Sequence, residues 1–178
     1  MPVHQSIWYL PLLAIVSIAM IQDLRARRIR NWLTFGLLAA GLIASFLPHS
    51  PVRPLQALGG FGIAFGASFA LFAMRGLGAG DVKLLAGIGM WLGPWPTACV
   101  LLLTALLGGV LIVAHSLYQR RLIQVFRSTL AVAASGAQFR TGAAMPPVKT
   151  VPYAVPIWAA TLLTVLTPAA RFLAERWS

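Results

Sequence analysis

Acidic residues are almost absent from this sequence. Of its 178 residues, 3 are Asp or Glu and 14 are Lys or Arg, which gives a formal net charge of +11. Charged residues make up 10% of the chain, whereas a soluble domain carries roughly 25%. So few charges cannot cover a water-exposed surface, which excludes a soluble globular enzyme and a disordered tail. With 59% hydrophobic residues and a mean hydropathy of +0.83, the composition is typical of a protein whose solvent is the lipid bilayer.

Cysteine is scarcer still. Cys99 is the only one and lies in an apolar run, which excludes disulfides and cysteine-based zinc sites. His4, His49 and His115 are scattered without the spacing of metal ligands, so the sequence predicts no metal site and no cofactor. An excess of positive charge is typical of nucleic-acid-binding proteins, but in an apolar chain Lys and Arg mark cytoplasmic loops. We therefore expect the bilayer, and no nucleic acid, as a partner.

The hydrophobic runs predict an all-α, polytopic membrane protein with six transmembrane helices, forming one membrane-embedded domain over residues 1–178. The predicted spans are Ser6–Gln22, Trp32–Leu47, Leu55–Met74, Asp81–Gly93, Trp95–Leu117 and Val151–Ala170. The fourth span is short, and the Gly-Pro-Trp-Pro sequence after it predicts a tight turn into the fifth. One long kinked span is the alternative for this pair.

The basic residues predict the orientation. Eleven of the 14 fall in the loops on one side of the six-span arrangement: Arg25, Arg27, Arg28, Arg30, Arg75, Lys83, Arg120, Arg121, Arg127, Arg140 and Lys149. By the positive-inside rule this side is cytoplasmic, and both termini lie outside. No basic residue precedes the first span, which favours an anchor over a cleaved signal peptide.

One long polar stretch, residues 119–150, is the predicted basic cytoplasmic loop. Its first half has Leu122, Phe126 and Leu130 at helical spacing between arginines, which fits an amphipathic helix on an anionic leaflet. A solvated basic loop fits equally well. Small residues at four-residue spacing, Gly62 with Gly66 and Gly89 with Gly93, predict close helix packing.

Asp23 and Asp81 are the only aspartates, and the predicted topology puts both at the cytoplasmic boundary. An ionisable group at a membrane boundary is a functional candidate by default. Two structural alternatives stay open: Asp23 could pair with Arg27, and Asp81 could cap a helix. Glycines at 76, 78 and 80 would let an extended peptide approach Asp81. A phosphate-binding loop does not fit, because no Gly-Lys-Ser/Thr sequence follows.

Two segments carry a resemblance to a known family. Residues 78–86, Gly-Ala-Gly-Asp-Val-Lys-Leu-Leu-Ala, and residues 23–34, which begin with Asp23 and a basic stretch, are similar to the two catalytic motifs of the prepilin peptidases. These are Gly-x-Gly-Asp intramembrane aspartyl proteases. Arg30 stands where the first motif usually has proline. Residues 152–156, Pro-Tyr-Ala-Val-Pro, resemble a segment of the family's last span.

The resemblance implies an aspartyl endopeptidase of the bacterial cytoplasmic (inner) membrane that removes the short basic leader of type IV prepilins near the cytoplasmic face. It implies Asp23 and Asp81 as the catalytic pair, with Gly78, Gly80 and Asn31 on the path of the substrate helix. Lys83 either contacts substrate or snorkels to the interface. The chain lacks the paired Cys-x-x-Cys insert of bifunctional members, so it resembles the short peptidase-only form of tight-adherence (Flp) pili, without N-methyltransferase activity.

Two other function classes compete with this hypothesis. A proton- or ion-coupled transporter could use the two aspartates as carriers, although acids near one face do not suit a transport path. A non-catalytic membrane scaffold of a pilus or secretion machine is the second alternative.

Overall fold

The computed structural model describes residues 8–48, 50–74, 76–118 and 153–167. Within these ranges the chain forms six α-helices and no strand, so the predicted all-helical class is confirmed. The helices are α1 (Leu10–Ala26), α2 (Asn31–Ser45), α3 (Pro54–Ala73), α4 (Ala79–Leu92), α5 (Pro94–Tyr118) and α6 (Ala154–Leu166). The predicted loop at 119–150, with its possible amphipathic helix, and the outer ends of the first and last spans lie outside the described residues.

The ends of two helices differ from the prediction. Helix α1 continues past Gln22 to Ala26, so Asp23 lies in its last turn rather than beyond its end. Helix α6 begins at Ala154 and ends at Leu166. Thr167 is already extended, because the residue before a proline is disfavoured in the helical region and Pro168 follows.

A sharp break separates α4 from α5. Gly93 has φ +76°, a conformation that only glycine adopts without strain, and Pro94 opens α5 directly after it. The predicted split into two helices is therefore confirmed, and the single kinked span is wrong.

Helix α4 lies at the centre of the bundle. All of its residues from Leu84 to Leu92 are buried. Its closest neighbour is α3: a side-chain carbon on Gly60 would collide with the backbone of Gly89, and one on Gly89 would lie 2.9 Å from the Ala64 methyl group. On its α2 side, the Trp91 indole donates a hydrogen bond to the Leu37 carbonyl oxygen at 3.0 Å.

The outer helices expose apolar surface. By length and composition, residues 54–73 and 94–114 could each cross a membrane, while α2 and α6 are apolar but shorter. On one face of α5, Leu102, Leu106 and Val110 are each about two-thirds exposed. Such a surface suits lipid better than water.

Candidate active site

Asp23 lies where α1 ends. The helix stops at Ala26 because Arg27 adopts a left-handed conformation (φ 50°), from which its N–H donates a hydrogen bond to the Asp23 carbonyl oxygen at 2.8 Å. The half-buried Asp23 carboxylate points elsewhere: its Oδ2 accepts a hydrogen bond from the backbone N–H of Ala154 at 3.3 Å. Ala154 is the first residue of α6, so this carboxylate satisfies one of the N–H groups that every helix leaves unpaired at its start.

Asp81 lies in the first turn of α4, three residues after the N-cap Gly78. Its half-buried carboxylate folds back on that glycine and occupies the space beside it. A side-chain carbon at position 78 would lie 3.0 Å from Asp81 Oδ2. This contact with Gly78 indicates where the Asp81 carboxylate points, and the hypothesis that Asp81 caps its helix stays a prediction.

The two aspartates converge. Asp23 lies in the last turn of α1 and Asp81 in the first turn of α4, and the contacts of Gly80 with Ile29 and of Lys83 with Asn31 bring these two segments together. Helix α1 runs toward this end of the bundle and α4 runs away from it. The last turn of α1 and the first turn of α4 therefore bring both acids to the same end. Their equal depth in a membrane stays a prediction.

Gly80 holds the two motif segments together. A side-chain carbon on Gly80 would lie 3.3 Å from Ile29 Cβ, in the connection between α1 and α2. The absence of a side chain at position 80 therefore lets the start of α4 pack against the residues that follow Asp23. The space beside Gly78 and Gly80 is filled by Asp81 and Ile29 of this chain, and a substrate path along these glycines stays a prediction.

Lys83 joins the same two segments by a polar contact. Its Nζ donates a hydrogen bond to Asn31 Oδ1 at 3.0 Å and lies 5.0 Å from the centroid of the Phe35 ring. Asn31 opens α2, directly after the basic stretch. The structure thus pairs two residues that the sequence placed on the substrate path. Whether either touches substrate stays a prediction.

The start of α6 supplies two residues that sequence reasoning did not assign to the site. The Ala154 N–H bonds Asp23, and the neighbouring Tyr153 is half-buried. The Tyr153 ring packs across Gly108 of α5. The Pro-Tyr sequence was the available signal, but a backbone N–H has no side-chain signature that a sequence could reveal.

The described residues contain no group of three or more His, Cys, Asp or Glu side chains placed to hold a metal ion. The chemistry that the described groups themselves offer is that of two carboxylates.

The comparisons with known proteins agree with the two motifs. The family model described as the type IV leader peptidase family matches residues 10–113, a stretch that begins with α1 and contains both aspartates. No curated protein matches the chain, and neither does any solved structure.

Proposed function

The chain belongs to the type IV leader peptidase family, and from this premise we propose that Asp23 and Asp81 together form the catalytic pair of an aspartic-type endopeptidase. Membership of the family confirms the resemblance and makes the chain a leader peptidase. The observation that supports the aspartic mechanism is the convergence of the two carboxylates at one end of the bundle, where Asp23 Oδ2 accepts the Ala154 N–H and Asp81 Oδ2 lies against Gly78.

Two adjacent carboxylates favour a state in which they share one proton, since like charges at close range resist joint ionisation. In the proposed reaction the ionised carboxylate takes a proton from a water molecule, whose oxygen bonds to the scissile carbonyl carbon. The protonated carboxyl group donates its proton to the developing oxyanion. Collapse of this intermediate breaks the C–N bond, and a carboxyl proton passes to the leaving amine.

We place the enzyme in the bacterial cytoplasmic membrane with six spans. Helices α3 and α5 have the length and composition to cross a membrane, which supports a membrane location, and the excess of arginines beside Asp23 supports a cytoplasmic position for the catalytic end. Arg25, Arg27, Arg28 and Arg30 are all exposed, as residues facing lipid headgroups or water would be.

The proposed substrate is a prepilin of the Flp type, with a short basic leader before an apolar helix, cleaved at the cytoplasmic boundary of the membrane. The exposed apolar surface of the bundle suits contact with such a helix. With one cysteine, this sequence has no paired Cys-x-x-Cys insert, so we propose that it lacks N-methyltransferase activity.

Co-expression with a Flp-type pilin precursor tests the proposal. Asp23→Ala and Asp81→Ala should each abolish cleavage and leave membrane insertion intact, whereas Glu175→Ala, which removes the third acid of the chain, should cleave normally. Cleavage that persists in either aspartate variant contradicts the catalytic pair. A wild-type chain that never cleaves would favour the scaffold alternative.

A further inference from the structure

Two hydrogen bonds join helix α6 to α1. At the start of α6, the backbone N–H of Ala154 donates to Asp23 Oδ2 at 3.3 Å. One turn later, the indole N–H of Trp158 donates to Ser17 Oγ at 2.9 Å. Because residues four apart lie on the same side of a helix, both bonds come from the side of α6 that is turned toward α1.

The hydroxyl group that Trp158 contacts is itself fixed. Ser17 Oγ donates a hydrogen bond to the Leu13 carbonyl oxygen of its own helix at 2.7 Å. Since its proton is used in this bond, the oxygen is left as an acceptor, and the indole N–H is a group that can only donate. The two bonds therefore link α6 through Ser17 to the backbone of α1, and a displacement of α6 along α1 would break this link.

The bond to Asp23 depends on the position of the whole helix. Ala154 is the first residue of α6 and is fully buried, and its N–H belongs to the backbone, so this donor moves only with the helix. At 3.3 Å the bond is already longer than the about 2.9 Å typical of N–H···O bonds, so a small shift of α6 would remove it. The packing of Tyr153 on Gly108 holds the start of α6 against α5, whereas the Trp158 bond ties α6 to the helix that carries Asp23.

We propose that Trp158 is a positioning residue of the catalytic pair: its bond to Ser17 holds α6 in register with α1 and so keeps the Ala154 N–H on Asp23. This inference rests on the proposed function. A carboxyl group that exchanges protons with water and an amine reacts only in a narrow range of geometries, so a loss of orientation lowers the rate of the chemical step. Ser17 precedes Asp23 by nearly two turns of α1, so we expect substrate binding, and with it KM, to stay unchanged.

The kinetic test uses the purified full chain in lipid nanodiscs and a peptide that spans the leader and cleavage site of a Flp-type pilin. Trp158→Phe keeps an aromatic ring and removes the donor, and Ser17→Ala removes the acceptor; each should lower kcat about tenfold with KM unchanged. Ser17→Thr keeps the hydroxyl group and should keep the wild-type kcat. Ser68→Ala is the matched control and should also cleave normally, since the Ser68 hydroxyl donates to carbonyl oxygens of its own helix, α3.

Combining Trp158→Phe with Ser17→Ala tests whether the two residues act through one bond. The double variant should be no slower than the slower single variant, because residues that share an interaction give non-additive effects. Losses that multiply would overturn the inference, as would a wild-type kcat for either single variant, a loss confined to KM, or equal losses in Ser17→Thr and Ser17→Ala. If Trp158→Phe does not fold, the comparison of Ser17→Ala, which removes a single oxygen atom, with Ser17→Thr decides in its place.

An NMR measurement follows Asp23 without any cleavage. Because the chain contains only two aspartates, isotope labelling of the aspartate carboxyl carbons gives two signals, which Asp23→Asn and Asp81→Asn assign. Trp158→Phe and Ser17→Ala should each shift the Asp23 signal, since that carboxylate loses a hydrogen bond, whereas Ser68→Ala should leave it in place. An Asp23 signal that does not move in Trp158→Phe and Ser17→Ala overturns the positioning inference, whether or not the chain cleaves.

Asp23→Ala, measured alongside, separates this inference from the function on which it rests. Cleavage that survives in Asp23→Ala overturns the proposed function. An inactive Asp23→Ala together with fully active Trp158→Phe and Ser17→Ala overturns the positioning inference alone.

Discussion

Two regions of the molecule are built in opposite ways. In the α3–α4 seam, formed by Gly60, Ala64 and Gly89, the backbones of the two glycines meet directly and the Ala64 methyl group lies beside Gly89. At the aspartate end, the segments are joined by single polar contacts between residues far apart in the chain, such as Lys83 with Asn31 and Ala154 with Asp23.

The two kinds of contact have different roles: the backbone contacts of the seam stabilise the fold, and the polar contacts orient the groups proposed for catalysis. Backbone atoms that touch across the seam cannot swing aside, so the seam fixes α3 on α4 and tolerates no added volume. A hydrogen bond contributes a net ~1 kcal/mol to stability, so the polar contacts at the aspartate end add little to it. They fix the direction of reactive groups, and their loss should appear in the rate before it appears in the fold.

The largest effect is expected from adding a methyl group to the seam. Gly60→Ala places a carbon against the backbone of Gly89 and 2.8 Å from the carbonyl carbon of Gly93, so α3 and α4 must separate. We expect a loss of about 3 kcal/mol or more in the free energy of unfolding. Thermal or detergent-induced unfolding of the purified protein measures it.

Gly62→Ala is the control for the seam. It lies two residues along the same helix, where an added carbon meets nothing within 4 Å. It should leave the unfolding transition unchanged. Equal destabilisation by the two substitutions would show that the seam is not where the helices are held.

A smaller effect, on rate, is expected at the polar contact. Lys83→Met keeps the apolar stem but removes the charge that bonds Asn31 and lies over Phe35. We expect kcat to fall about tenfold, with ~1 kcal/mol or less lost from stability. Asn31→Ala should give the same loss, and the double variant no more. A rise in KM with kcat unchanged would instead identify Lys83 as a substrate contact.

The smallest effect is expected on the α2 side of α4. Trp91→Phe removes the indole N–H that bonds the Leu37 carbonyl oxygen, at a cost of about 1 kcal/mol in stability. Because this contact lies at the opposite end of α4 from Asp81, cleavage kinetics should not change. A reduced kcat in a protein of normal stability would contradict the separation of the two regions.

Much of this arrangement could be predicted from the sequence. Long apolar runs and the Gly-Pro break located the helices, and the scarcity of acids singled out Asp23 and Asp81. The helix faces could not be predicted in the same way: Gly62 and Gly66 have the spacing of a packing pair, yet both face open space and Gly60 packs on α4 instead. Spacing alone does not say which side of a helix is turned inward.

The partners of the aspartates were also beyond the sequence. The apolar pattern of the last span places its helix only to within a turn, whereas the Asp23 contact depends on which residue starts α6. Helix α1 likewise continues past its apolar run, since the charged residues Asp23 and Arg25 are still helical. Polar contacts between distant segments depend on such details of helix ends.

The central claim is that Asp23 and Asp81 act as one catalytic unit, and a double-mutant cycle tests it most directly. Single-turnover cleavage of a prepilin peptide is measured for Asp23→Asn, Asp81→Asn and the double variant, all of which keep the size of the side chains. Residues that act as a unit give strongly non-additive losses, so we expect each single variant to lose about 10³-fold or more in rate and the double variant to be no slower. Independent losses that multiply in the double variant, or substantial cleavage by either single variant, would contradict the account.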